Sequence, residues 1–218
     1  MGKIIYAPPF INDSWNPISG KCFHECSYCA YKDFSVGELQ LEEMPFTKDL
    51  GSNKFIFIGN HNDMFAQNVP DEWIGAVLEY CKEFPNNLYL FKSKNPARMF
   101  NFVNLFPSKY FFASTIESNR IYEGITLAPS VEQRTLFMAQ CTLMSKAITI
   151  EPILDFDLEI FTNSIRNIKP RWVAIGADRT GNNLIEPSKE KIISLIEELQ
   201  KFTRVMPMNN LERILQQN

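Results

Sequence analysis

No apolar run in this sequence approaches the roughly 18 residues needed to cross a bilayer, so a membrane-spanning helix is not expected. Excess charge is also small. A net charge of −3 argues against a generally basic nucleic-acid binder, while leaving room for a local basic groove. The stretch Met1-Gly2-Lys3-Ile4-Ile5-Tyr6-Ala7-Pro8-Pro9 lacks the apolar core of a signal peptide. Tyr6 stands where a myristoylation signal has Ser or Thr. No internal repeat, low-complexity tract or linker is visible. Cysteine is scarce and odd in number, at five, and shows no paired framework. These absences together point to a cytoplasmic chain whose thiols stay reduced.

What is present is the composition of an ordinary globular protein, 45% apolar and 22% charged over 218 residues. That length suits one domain with a real core, spanning 1–218, with a cysteine loop at 20–32 and a C-terminal extension from about residue 203. Short β-rich runs alternate with helix-period segments. The expected strands are Lys54–Gly59, Leu88–Phe91, Tyr110–Ser114, Lys146–Pro152, Trp172–Gly176 and Thr203–Pro207, with another around Asp13–Ile18. They start about 30 residues apart, the length of a βα unit. The runs are continuously apolar, as parallel strands covered on both faces require.

Between them, Ile74, Val77, Leu78 and Cys81 share one face of Asp71–Phe84. Asn95-Pro96 opens a helix with a stripe of Met99, Phe102, Val103 and Phe106. Ser130-Val131-Glu132-Gln133 is a capping box, followed by Phe137, Cys141 and Met144. Leu158, Phe161, Ile165 and Ile168 form another stripe, and Ser188 caps a helix carrying Ile192, Leu195, Ile196 and Leu199 inward. Cys81 and Cys141 therefore read as small core residues. Six or seven βα units give an α/β fold with a parallel sheet, short of the eight units and about 250 residues of a closed TIM barrel.

Chemistry concentrates in Lys21–Tyr31, KCFHECSYCAY, where Cys22, Cys26 and Cys29 follow a C-x3-C-x2-C spacing. Soft thiolates select zinc, copper(I) or iron–sulfur clusters. Three protein ligands leave one iron of a four-iron cluster open to a small molecule. Zinc held by the three thiolates with His24, His61 or water is the alternative, as are unligated cysteines. Their close spacing makes a disulfide staple a poor third.

With Tyr28 before the third cysteine, this motif resembles the signature of the radical S-adenosylmethionine (SAM) superfamily. Trp15-Asn16-Pro17 ahead of it and Ala30-Tyr31 after it are similar to a little-characterised, often phage-associated branch. The resemblance implies a partial, open (β/α)6 barrel of TIM type. It also implies a 4Fe-4S cluster on Cys22, Cys26 and Cys29 whose open iron chelates SAM. One electron from a donor such as flavodoxin or ferredoxin would then give methionine and a 5′-deoxyadenosyl radical that takes hydrogen from the substrate. Phe23 and Tyr28 would supply a low-dielectric shell.

In such barrels the chemistry lies at the C-terminal strand ends. By resemblance, Asn60, Asn62 or Asp63 after the second strand would bond the SAM amino group, replacing the family's Gly-Gly-Glu. Ser114, with Glu117 near it, would touch SAM. Lys92 and Lys94 suit a carboxylate or phosphate of SAM or substrate. Glu151, an acid within an apolar run, reads as a pocket residue. Gly176 would let backbone approach adenine, and Asp178 with Arg179 would meet ribose or substrate. Each cluster also has a plain reading as polar loop, cap or turn. Only two cysteines lie outside the motif, so a second cluster is not expected.

The chain thus reads as a radical SAM enzyme acting on a small molecule or nucleotide, with a partner protein as another way to complete the site. Similarity to phage-associated and photoproduct-lyase-like members favours a nucleotide or nucleic-acid component. A zinc- or cluster-binding module without turnover and a SAM-dependent methyl transferase are the competing classes.

Overall fold

The computed structural model describes residues 10–32, 36–42, 44–142 and 145–216. Strands β1 (Asp13–Trp15), β2 (Ile18–Ser19), β3 (Gln40–Leu41) and β4 (Phe55–Ile58) come first. Helix α1 (Asp71–Lys82), β5 (Leu88–Lys92), α2 (Pro96–Phe100) and β6 (Tyr110–Thr115) follow. The rest is α3 (Val131–Gln140), β7 (Lys146–Ile150), α4 (Leu158–Ile168), β8 (Trp172–Ile175), α5 (Lys189–Gln200), β9 (Arg204–Pro207) and α6 (Glu212–Leu215). Seven strands form one sheet in the order β1-β4-β5-β6-β7-β8-β9, and every pairing in it is parallel. Each strand lies beside its successor, and the outer strands β1 and β9 do not pair with each other. The result is an open partial barrel. Its seventh strand is the segment 204–207, and its first connection carries the β2–β3 hairpin and the cysteines where later connections carry helices.

Alternation along the strands assigns the faces. Ile56, Ile58, Tyr89, Phe91, Phe112, Ile148, Ile150, Val173 and Ile175 join one core with the helix residues Ile74, Leu78, Phe161, Ile165, Leu195 and Leu199. Each such aliphatic or aromatic side chain contributes about 1.5–3 kcal/mol when removed from water. The opposite, inner face carries Phe55, Phe57, Leu90, Ala113, Ala147, Trp172, Ala174 and Met206, with no helix residue among them. Its N-terminal end is closed by aromatics: Phe10 stacks on Phe55 at 5.5 Å and meets Trp172 edge-on at 5.6 Å. Above that plug the small Ala113, Ala147 and Ala174 leave the interior open toward the C-terminal strand ends.

Two helices differ from the periodicity. The segment opened by Asn95 is a helix only to Phe100, then a 3-10 turn at Val103–Leu105. Pro107 follows, and the residue before a proline is driven extended, as Phe106 is at ψ 147°. Met99, Phe102 and Phe106 are buried nonetheless, with Phe106 stacked on Phe65 at 6.0 Å. In α3 the capping box of Ser130 and Gln133 is formed, but the buried face is Val131, Arg134 and Met138. Phe137 packs at the margin, Cys141 is buried beyond the helix end, and Met144 lies outside the described residues.

Candidate functional site

The β2–β3 hairpin aims the cysteine loop. Gly20 at its exit has φ +92°, and a Cβ there would sit 2.1 Å from the Glu38 carbonyl oxygen, so only glycine fits. Lys21 N–H bonds the Gly37 carbonyl at 3.1 Å, and Asn62 Nδ2 donates to the Gly20 carbonyl at 2.8 Å. The far side of the loop is gripped by the connection after β6. Ser27 N–H donates to Ile125 O at 2.8 Å, Leu127 N–H to His24 O at 2.7 Å, and the Thr126 hydroxyl to His24 O at 3.0 Å. Thr126 Oγ1 also lies 3.2 Å from Cys26 Sγ.

So held, Cys22, Cys26 and Cys29 all line one cleft of about 140 Å³ at the C-terminal ends of the strands. All three are free thiols. Among the described residues, no three His, Cys, Asp or Glu side chains converge closely enough to share a single metal ion. The thiols border the cleft and do not meet at a point. Burial, reinforced by the Asp63 carboxylate, pushes the Cys22 thiol up to about 11, so metal loading must displace its proton. Three soft donors on one loop, facing an open cleft with no fourth cysteine beside them, fit a cluster with one uncommitted iron.

Asp63, after β4, is the junction beneath this loop. It accepts from Lys94 N–H at 2.7 Å and the Ser93 hydroxyl at 3.0 Å, and its Oδ2 lies 2.9 Å from His24 Nε2. Its other oxygen takes Phe65 N–H at 3.0 Å. Burial would raise its pKa; the His24 contact and these donors hold it below the usual carboxylate value. Asp63 borders the cleft with its acceptors already engaged. A second buried assembly fixes Tyr28. Its hydroxyl donates to Glu117 Oε1, and Glu117 Oε2 pairs with Arg134 at 2.9 Å, both side chains only 3% exposed. Arg134 also donates to the carbonyls of Thr115 and Pro129. Glu117 is thus committed to Tyr28 and Arg134 outside the cleft lining.

Strand alternation decides which predicted residues face inward. Lys92 and Thr115 continue the inner rows of Leu90 and Ala113, and both line the cleft. Ser114 has the opposite parity, is fully buried, and donates to Ser93 O at 2.7 Å. Asn60 lines the cleft and donates to the Tyr31 hydroxyl at 2.7 Å. Lys94 lies over the Tyr28 ring at 5.2 Å and Lys92 over Phe57 at 5.0 Å. Burial would lower Lys94, but Cys26 and Glu117 draw its pKa above the usual value. For Lys92 burial prevails over the pull of Glu151 and the pKa falls.

Glu151 Oε1 accepts from Arg179 at 2.5 Å and from Asn210 Nδ2 at 3.1 Å. Gly176 is needed for packing within the protein: a Cβ there would lie 2.8 Å from Asn210 Oδ1 and 2.9 Å from Glu151 Oε1. Asp178 builds a turn, accepting from Thr180 N–H and from the backbone and side chain of Asn182. It is buried and does not border the cleft, whereas Arg179 beside it does. Ser93, Thr126, Arg134 and Asn210 are the members that residue patterns did not single out as a site, and His24, named there only as a candidate zinc ligand, instead pairs with Asp63. Each acts through a contact made across the fold.

No protein-family model and no curated protein matches the sequence. Solved structures do. A spore photoproduct lyase variant superposes with a TM-score of 0.66 at 10% identity, over 88% of this chain and 76% of that one. A second spore photoproduct lyase, with bound AdoMet and dinucleoside spore photoproduct, gives 0.56 at 12% identity over 86% and 60%. Methylornithine synthase gives 0.53 at 16% over 90% and 64%. At these identities the likeness is one of fold. These neighbours are radical SAM enzymes, and the fold of this chain is their partial TIM barrel.

Proposed function

We propose that this protein is a radical SAM enzyme acting on a nucleotide or nucleic-acid component. The observation that carries the reading is the placement of Cys22, Cys26 and Cys29 on one loop bordering a single cleft at the C-terminal ends of a partial barrel. These cysteines would hold a 4Fe-4S cluster, and SAM would bind against it. The chemistry supplied there, when both are bound and a donor such as flavodoxin or ferredoxin delivers an electron, is cleavage of a carbon–sulfur bond leading to hydrogen abstraction.

The chain's own residues position and shield. Tyr28 walls the cleft between Cys26 and Cys29, fixed by Glu117 and Arg134. Asp63 holds His24 and the Lys94 backbone, and so keeps the cysteine loop over the end of β5. Asn60 and Glu151 present polar groups to ligand from the cleft wall, while Ser114, Gly176 and Asp178 support that wall from behind. The plug of Phe10, Phe55, Phe111 and Trp172 closes the inner face below and keeps water from the reacting centre. A nucleic-acid component as substrate is supported by the solved neighbour carrying a dinucleoside spore photoproduct.

The test is anaerobic purification and reconstitution, followed by reduction in the presence of SAM. The expected protein is brown, binds about four irons per chain and forms 5′-deoxyadenosine. Cys26→Ala abolishes that product. A colourless protein with one zinc, or S-adenosylhomocysteine as the product, would refute the assignment.

A further inference from the structure

We propose that Lys92 holds a phosphate group of the substrate, so that the molecule processed in this cleft is a nucleotide and not a free nucleoside. This rests on the radical SAM reading and narrows its substrate.

The argument is a balance of charges in the cleft. Five acidic or basic side chains border it besides the histidines: Lys92, Lys94, Arg179, Asp63 and Glu151. Asp63 is saturated by His24, Ser93, Phe65 N–H and Lys94 N–H. Glu151 Oε1 is taken by Arg179 and Asn210. The Lys94 ammonium lies over Tyr28, on the side of Cys26 and Glu117, where thiolates of a loaded site would need a counter-charge. Lys92 is left over. Among the described residues its ammonium makes no direct ion pair or hydrogen bond; it lies over the face of Phe57, and Glu151 and Asp63 act on it only at longer range.

A partly buried ammonium without an acceptor is costly unless a ligand completes it. Strand parity aims Lys92 into the cleft from the inner face of β5, in the same cleft as Glu151, whose Oε2 has no donor among the described residues. A cation and a free carboxylate oxygen in one cavity match a phosphate and a sugar hydroxyl of one molecule. Lysine binds phosphate as a point charge. In a chain of net charge −3, a local cation is also what draws an anionic substrate inward. The carboxylate of SAM shares this chemistry, and binding measurements separate the two.

The experiment is equilibrium dialysis of the anaerobically reconstituted full chain against AMP, GMP, CMP and UMP, the matching nucleosides, and labelled SAM. In the wild type at least one monophosphate binds ten-fold or more tightly than its nucleoside. Lys92→Gln brings that ratio within two-fold while labelled SAM binds as before, and Lys92→Arg restores most of it. The proposal is overturned if no monophosphate exceeds its nucleoside. It is equally overturned if the ratio survives Lys92→Gln, or if Lys92→Gln weakens SAM ten-fold and spares the ratio. Iron content and 5′-deoxyadenosine, measured on the same samples, report separately on the radical SAM reading.

Discussion

Replacing Arg134 by Met isolates the electrostatics that anchor the cysteine loop. Glu117 and Arg134 are each about 3% exposed and 2.9 Å apart, and Tyr28 donates to the same carboxylate. Met fills much of the volume but leaves a buried carboxylate facing an apolar chain. Breaking a buried pair from one side costs about 3–5 kcal/mol, a large part of a typical total of about 5–15. For a chain of this length that is a fall in midpoint of about 6–20 °C. The effect has a pH signature. In the wild type burial would raise the Glu117 pKa, but Arg134, Lys94 and the Tyr28 hydroxyl hold it below its usual value. Its stabilisation is therefore full above the unfolded carboxylate range and is lost as pH falls through the folded value. Without Arg134 the folded pKa rises, so the variant takes up a proton at higher pH than the wild type. The penalty shrinks between pH 7 and pH 5, and Arg134→Met/Glu117→Gln recovers part of it at pH 7. Urea unfolding of the wild type, the two single variants Arg134→Met and Glu117→Gln, and the double variant at both pH values measures this. A penalty under about 1 kcal/mol, or one unchanged with pH, would refute the reasoning.

Gly20→Ala places a Cβ against the Glu38 carbonyl at positive φ. It should cost more than about 1 kcal/mol in urea unfolding and lower the iron retained after reconstitution, because the hairpin no longer presents Cys22 correctly. Gly176→Ala drives a methyl into Asn210 and Glu151 and should cost about 1–3 kcal/mol. Adding Asn210→Ala should return part of that loss, read as a rise in the thermal midpoint of the double variant over the single.

Much of the frame is legible in local pattern. Apolar runs such as FIFI at 55–58 and WVAI at 172–175 are strands because each is buried on both faces, and a sequence states that directly. The cysteine motif is legible for the same reason, since its chemistry lies within eight consecutive residues. What stays hidden is which side of a strand end faces the cleft and what a polar residue meets there. Ser114 and Thr115 are adjacent and chemically alike, yet only the inward parity of Thr115 borders the cavity. Asp63 and Glu117 look like free ligands in one dimension, whereas His24, Ser93, Tyr28 and Arg134 complete them in three. One signal was present in α3: Val131, Arg134 and Met138 lie on a single face, so the arginine had to be buried and to carry a partner.

The grip of residues 125–127 on the cysteine loop has a consequence in time. Thr126 follows Cys26 by 100 residues, so during translation the thiols leave the ribosome well before their clasp exists. At about 5–20 residues per second the interval is about 5–20 s. Until it ends the loop has its own hairpin and, once residues 62–63 have emerged, the contacts of Asn62 and Asp63, but its far side is unheld. Metal delivered to the nascent chain meets a loose ligand set, and the finished geometry arises only when the middle of the polypeptide folds back over its beginning.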